Sequence, residues 1–270
     1  MCSVPEGCPT GEEQLAGWLA ADGQSTALLL DFDGTVADIV PEPGRAVAVS
    51  GIPELLGILA HHLATVAVIS GRPLDFLEDR LAGAGNDVIL AGMYGLEMLV
   101  DGKRLMEPGA NRWEERIRLA HDEAWKDRPA GVFLEDKGLG FALHWRNAPE
   151  LAQEALQIAV RLADVYGLEL QPGRMAIELR VPVNVDKGST VAKLADGRKR
   201  ICYIGDDAGD LKAYDALDVL SRSGSVVLRV AVNSPEIPGD LLERADILLA
   251  GPASVAKMLN LLVNTLAVHM

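Results

Sequence analysis

Two aspartates one residue apart, Asp31 and Asp33, stand where the apolar run Leu28-Leu29-Leu30 gives way to Gly34 and Thr35. Carboxylates this close repel each other unless a cation lies between them or one keeps a proton. Further along, Ser70 closes the apolar stretch ATVAVIS and leads into Gly71, Arg72 and Pro73. Lys187 opens the segment KGSTVAKL, and Asp206, Asp207 and Asp210 follow CYIG. Gathered in one place, these carboxylates would form an oxygen-rich site without thiol or imidazole, a donor set suited to Mg²⁺. A lysine, a serine and a helix N-terminus at SGRP suit a phosphate. Metal, phosphate and a poised carboxylate together point to phosphoryl transfer through an aspartyl-phosphate.

The elements that must position these groups follow from the hydrophobic pattern. ALLLD (27–31), ATVAVIS (64–70) and DVILAGM (87–93) read as strands buried on both faces, as in a parallel sheet. Between them, PELLGILAHHLA and PLDFLEDRLAG carry apolar residues at helical spacing. The alternation resumes after about residue 184 with RICYIG, SVVLRVAV and DILLA as strands and three helical segments between and after them. This predicts an α/β fold whose core is a doubly wound, Rossmann-like, mostly parallel sheet. In such sheets ligands sit beyond the carboxyl ends of the strands, where Asp31, Ser70 and Asp206 fall.

The middle of the chain reads differently. Two amphipathic helices (111–125 and 148–167) accompany two hairpins, 131–146 turning at KGLG and 168–181 turning at QPGR. Alternation places Phe141, Leu143, Ile177 and Leu179 on oily faces, with His144, Arg146, Glu178 and Arg180 opposite. The expectation is therefore an α+β cap domain, residues 99–182, inserted into a core of residues 1–98 and 183–270. LVDGK and VPVNV are the natural hinges between them.

Composition narrows the class of function. The 270 residues are 49% hydrophobic and carry a formal net charge of -14, which argues against nucleic acid or an anionic membrane as partner. No apolar run is long enough to span a bilayer, and the N-terminal MCSVPEGCPTGEE lacks the pattern of a secretory signal, so a cytoplasmic location is expected. Cys2, Cys8 and Cys202 make no disulfide framework and no metal-ligand spacing. A small-molecule substrate and a monomer are the default expectation, with an oligomer left open.

DFDGT, ISGR, DKG and GDDAGD, in this order, resemble the four motifs of the haloacid-dehalogenase-like phosphohydrolases. That resemblance implies Asp31 as nucleophile and Asp33 as the acid that protonates the leaving oxygen and then activates water. It implies Ser70 and Lys187 as holders of the phosphoryl oxygens, with Gly71 and Arg72 beside them. Mg²⁺ would be bound by Asp31, the backbone carbonyl of Asp33, and Asp206, with Asp207 or Asp210 in support.

LLLDFDGTVADIVPEP, VAVISGRP, GLE, FLEDKGLGFALHWR and MAIELRVPVNVDKGSTV further resemble the trehalose-6-phosphate phosphatases over most of residues 25–265. In that family a mixed α/β cap closes over the sugar, and its sugar-binding residues map onto Glu135, Lys137 and Glu178. Carboxylates and an ammonium suit a disaccharide because they accept from or donate to hydroxyls. The chain departs from the family pattern at Tyr94, where His is usual, and at Gly209 and Leu211. The same chemistry on a related pseudodisaccharide or another sugar phosphate is the alternative. A non-catalytic phospho-receiver or sugar-phosphate sensor is a third reading, which the acid–base group at Asp33 disfavours.

Overall fold

The computed structural model describes residues 11–268 apart from Pro41, Arg174 and Glu236. Its strands are β1 (Thr26–Leu30), β2 (Thr65–Ile69), β3 (Ile89–Gly92), β4 (Glu97–Val100), β5 (Lys103–Met106), β6 (Phe133–Asp136), β7 (Gly140–His144), β8 (Glu169–Gly173), β9 (Ala176–Arg180), β10 (Arg200–Gly205), β11 (Val226–Val232) and β12 (Ile247–Leu249). The helices are α1 (Gly11–Ala20), α2 (Ile52–Ala60), α3 (Leu74–Arg80), α4 (Glu114–Asp127), α5 (Ala152–Tyr166), α6 (Lys187–Leu194), α7 (Asp210–Arg222), α8 (Gly239–Arg244) and α9 (Pro252–Val268).

The chain divides into two units, one of residues 1–105 and 185–270, the other Met106–Asn184. The first is built on an eight-stranded sheet in the order β12-β11-β10-β1-β2-β3-β4-β5. Strands β12 through β3 in that order run parallel, and β4 pairs antiparallel with β3. Alternate residues of β1 enter two separate cores, which is why the run reads as continuously apolar. Leu28 and Leu30 pack with α1, α2 and α9, while Ala27 and Leu29 pack with residues of α6 and α7. From β1 the chain winds outward through β2, and from β10 it winds the other way through β11. The carboxyl ends of β1 and β10 thus form the switch point where ligands collect.

Two local readings change. LVDGK is a hairpin rather than a hinge: Asp101 and Gly102 take left-handed φ of 50° and 69°, the conformation of a tight Asp-Gly turn, and join β4 to β5 within the sheet. The second unit accordingly begins at Met106, later than the expected residue 99. Near the N-terminus, α1 buries Leu15, Ala16 and Leu19 and packs on α9.

The second unit holds a four-stranded antiparallel sheet in the order β6-β7-β9-β8. Phe141, Leu143, Ile177 and Leu179 are buried on one face, and α4 and α5 pack against the sheet. The QPGR turn falls later than expected, since Gln171, Pro172 and Gly173 belong to β8. Proline is tolerated there because β8 is an edge strand. Cys202 is buried in β10, as a small apolar residue would be, whereas Cys2 and Cys8 lie outside the described residues.

Candidate active site

Strand ends in the first unit deliver the acidic groups. The Asp31 N–H continues the β1–β10 ladder by donating to the Ile204 carbonyl at 2.9 Å. Ser70, one residue past β2, donates its N–H to the Ala91 carbonyl at 2.9 Å, and its hydroxyl accepts from the Arg72 N–H at 3.2 Å. Lys187 is the first residue of α6, whose start is fixed by a capping box: the Asp186 carboxylate accepts from the Ser189 N–H at 2.8 Å, and the Ser189 hydroxyl accepts from the Asp186 N–H at 2.9 Å.

The Lys187 ammonium is buried and meets Asp210 at 2.6 Å, Asp31 at 2.9 Å and Asp207 at 3.4 Å. Burial works against its charge, but Asp207, Asp210 and Asp31 outweigh it and hold the group well above the usual lysine range. Burial pushes the Asp31 carboxyl well up; Lys187 pulls it back, and Asp210, Asp207 and Asp206 add to the rise. Burial likewise raises Asp206, to about 7, against the pull of Ser234 and Lys187. Asp207 is lowered: Lys187 and hydrogen bonds, including that from the Gly209 N–H, overcome its desolvation. Four carboxylates facing one ammonium lack positive charge.

Asp31, Asp206 and Asp210 each present an oxygen within 4.8 Å of the others. Asp210 is already occupied. Its Oδ2 accepts from the N–H groups of Asp206 and Asp207 at 2.8 and 2.9 Å, and its Oδ1 accepts from Lys187 and from the Tyr203 hydroxyl, both at 2.6 Å. Four bonds fill a carboxylate, so Asp210 organises the loop and the lysine. Asp207 accepts from the Gly209 N–H at 2.8 Å. Asp206 is different: both its oxygens are buried and, among the described residues, accept no hydrogen bond of good geometry, although the Ser234 side chain is near enough to pull on the carboxylate. A divalent cation held by Asp31 and Asp206 would satisfy those oxygens and balance the charge, so the residues fit Mg²⁺. Gly34 (φ 76°) leaves the room, since a Cβ there would run into the Asp206 carboxylate.

Asp33 carries the remaining side chain of the motif, and Arg72 grips it with Nε to Oδ2 at 2.7 Å and Nη2 to Oδ1 at 2.8 Å. Gly71 lies under the Tyr94 ring, which a Cβ at that position would strike. Met93 and Tyr94 both adopt left-handed φ, 49° and 63°. The Tyr94 N–H donates to the Ser70 carbonyl at 2.8 Å, and its carbonyl accepts from the Thr190 hydroxyl at 2.6 Å, tying the serine loop to the helix of Lys187. Alternation and spacing gave no signal for this strained turn.

The polar face of the second unit gathers Glu135, Lys137 and Glu178. Glu135, Ala142 and Glu178 stand in one row across β6, β7 and β9. Lys137 Nζ meets Glu178 Oε2 at 2.7 Å, and Glu178, only 7% exposed, leaves Oε1 buried without a hydrogen-bond partner among the described residues. His144, which the sequence placed on this face without a role, meets Glu135 at 2.9 Å through Nε2. Gly140, Ala142 and Ala176 stand in register among these side chains and are themselves buried.

A mostly parallel sheet with aspartate, serine, lysine and further acidic residues in the loops at its carboxyl edge, and an inserted α/β unit, fits the haloacid-dehalogenase-like hydrolase fold. A haloacid dehalogenase-like hydrolase from Bacteroides thetaiotaomicron superposes with a TM-score of 0.56 at 17% identity, covering 87% of this chain and 98% of that one. The sequence model of the trehalose-phosphatase family matches residues 29–240, and the chain belongs to that family. A trehalose-phosphate phosphatase of Mycolicibacterium paratuberculosis is 32% identical over 272 residues, covering 96% of this chain and 67% of that protein. An uncharacterized glycosyl hydrolase of Mycobacterium tuberculosis is 35% identical over 211 residues, 72% of this chain but 15% of its own length. The chain thus spans a small part of that relative and about two thirds of the other. A crystal structure of a trehalose-6-phosphate phosphatase related protein superposes with a TM-score of 0.77 at 22% identity, covering 90% of this chain and all of that one. Among the described residues no helix is long and apolar enough to cross a membrane.

Proposed function

We propose that this chain is an Mg²⁺-dependent phosphatase that hydrolyses trehalose 6-phosphate to trehalose and phosphate through a phosphorylated Asp31. The observation that carries the reading is the buried group at the switch point: Asp31 beside Lys187, next to a buried Asp206 whose oxygens, among the described residues, accept no hydrogen bond of good geometry. Mg²⁺, held by Asp31, Asp206 and the Asp33 carbonyl, would let an anionic carboxylate approach an anionic phosphate.

The chain's own residues do the rest. An Asp31 oxygen forms a bond to phosphorus while the bond from phosphorus to the sugar oxygen breaks. The freed electron pair stays on that oxygen, which takes a proton from Asp33. Asp33, now a carboxylate, accepts a proton from water as the water oxygen bonds to phosphorus. The Asp31–phosphorus bond then breaks and returns its electron pair to Asp31. Ser70 and the backbone at Gly71 hold the phosphoryl oxygens, and Lys187 spreads their charge.

We assign sugar recognition to the unit of residues 106–184. There Glu135, Lys137 and Glu178 offer acceptors and a donor for hydroxyls, and the buried Glu178 Oε1, without a hydrogen-bond partner among the described residues, supports this. The family match and the relatives named trehalose-phosphate phosphatase support the choice of substrate. A phosphate-release screen over trehalose 6-phosphate, sucrose 6-phosphate, a glycosyl-glycerate phosphate and glucose 6-phosphate tests it, with Mg²⁺ and with chelator. Trehalose 6-phosphate should give the highest kcat/KM, and chelation should abolish release. A clear preference for another ester, or release that survives chelation, overturns the corresponding part.

A further inference from the structure

Resemblance alone sets Arg72 beside the phosphate, but its side chain is spent elsewhere. The guanidinium fork takes both oxygens of Asp33, the arrangement in which arginine and carboxylate hold each other most firmly. Arg72 is 12% exposed and Asp33 34%, so the pair is shielded enough to matter and open enough for Asp33 to reach a substrate. Arg72 is itself supported: its Cζ lies 4.8 Å from the Phe76 ring centroid. Arg80 stacks on the same ring at 5.0 Å and is tied to the carbonyls of Ala46 and Gly44 at 2.8 and 2.9 Å. Phe76 meets Phe32 edge-on at 5.6 Å.

Phe32 sits between the two aspartates, and its carbonyl accepts from the N–H groups of Thr35, Val36 and Ala37 at 3.3, 3.0 and 3.0 Å. The backbone that bears Asp33 is therefore fixed by Phe32. Its carboxylate is fixed by Arg72, and Arg72 in turn rests on Phe76, which closes back on Phe32.

We propose that Arg72 is a positioning residue for proton transfer by Asp33, held in place by Phe76. The proposal rests on the phosphatase reading above. As the phosphorus–oxygen bond to the leaving group breaks, that oxygen keeps the electron pair and takes the Asp33 proton. The carboxylate left behind is the form that the Arg72 fork receives. Arg72 then matters in proportion to how much the leaving oxygen needs a proton.

That dependence is measurable without any sugar. kcat/KM, which reports the transfer to Asp31, is compared for aryl phosphates of graded leaving-group basicity and for a simple alkyl phosphate at saturating Mg²⁺. Arg72→Lys keeps the charge but loses the fork. It should lose about tenfold or less on p-nitrophenyl phosphate and at least about a hundredfold on the alkyl phosphate, steepening the leaving-group dependence. Phe76→Leu should steepen it in the same direction by less, and it serves as the test if Arg72→Lys melts below the assay temperature. An equal loss across the series in both variants, or no loss, overturns the proposal and leaves Arg72 a substrate grip or a structural ion pair. Wild-type protein that releases phosphate neither from these esters nor from trehalose 6-phosphate overturns the phosphatase reading, and the proposal with it.

Discussion

The carboxyl edge of the eight-stranded sheet and the polar face of the four-stranded sheet both collect charged side chains, but they hold them differently. At the first, Lys187 and Asp210 are buried and each bonded several times over, with partners from β10, α6 and the loop entering α7. At the second, Lys137, just past β6, meets Glu178 of β9 across β7, and His144 of β7 meets Glu135 of β6. The first arrangement suits a reaction, where charge must be preorganised and desolvated. The second suits recognition, where pairs can exchange one another for hydroxyls. Changes at the first should therefore strike every substrate alike, and changes at the second only those that carry the sugar.

The largest expected effect is that of Asp31→Asn. Replacing the proposed nucleophile should cut turnover on the order of 10³-fold or more for sugar phosphate and aryl phosphate alike. Phosphate release and a thermal melt check it together, since a folded protein with appreciable turnover would remove Asp31 from the nucleophile's role.

Glu178→Ala sharpens the contrast from the other side. It removes the buried Oε1 and the 2.7 Å contact with the nearly buried Lys137. A loss of roughly 10- to 100-fold in kcat/KM is expected for trehalose 6-phosphate, within the range of one or two charged hydrogen bonds, with p-nitrophenyl phosphate nearly unchanged. Equal losses on both esters would erase the distinction between the two regions.

The two regions also differed in how legible they were. Asp31, Ser70, Lys187 and Asp206 could be read because each ends an apolar strand or opens a helix, and hydrophobic pattern locates such ends. Glu135, Lys137 and Glu178 are singled out for sugar only through resemblance, since alternation says that a face is polar and not what it binds. Partnerships were less legible still. Nothing in the spacing tells that Arg72 reaches back to Asp33, 39 residues earlier, or that Asp210 is saturated by Tyr203 and two backbone N–H groups. The left-handed Met93 and Tyr94 were hidden for a related reason: neither residue type favours that conformation, and tertiary bonds to Ser70 and Thr190 impose it. LVDGK shows the converse error, in which a true Asp-Gly turn signal was assigned to a domain junction instead of a hairpin.

A smaller effect separates the regions by pH. Without a cation, burial holds Asp206 at about 7, so below that value Mg²⁺ must displace a proton to bind. Apparent Mg²⁺ affinity should fall roughly tenfold from pH 8 to pH 6, as expected for competition with one proton near neutrality. Titrating activity with Mg²⁺ at each pH measures this. An affinity that is flat over that range would mean Asp206 is already ionised before the ion arrives.

The smallest effect is the most discriminating, because it lies in the reaction region but outside any residue that chemistry would name. Tyr203→Phe removes one of four hydrogen bonds to Asp210 and leaves the ring, which packs edge-on against Tyr214 at 6.4 Å. The loss of one buried, charge-assisted bond should cost about 1.5–3 kcal/mol of stability, read as a lower melting temperature. Asp210 keeps Lys187 and the two N–H groups, so activity should fall only several-fold. That fall should be the same for trehalose 6-phosphate and p-nitrophenyl phosphate, since Tyr203 acts through Lys187 and not through the sugar. A fall confined to the sugar phosphate would mean that the Asp210 network reaches recognition as well as chemistry, and the division between the two regions would have to be redrawn.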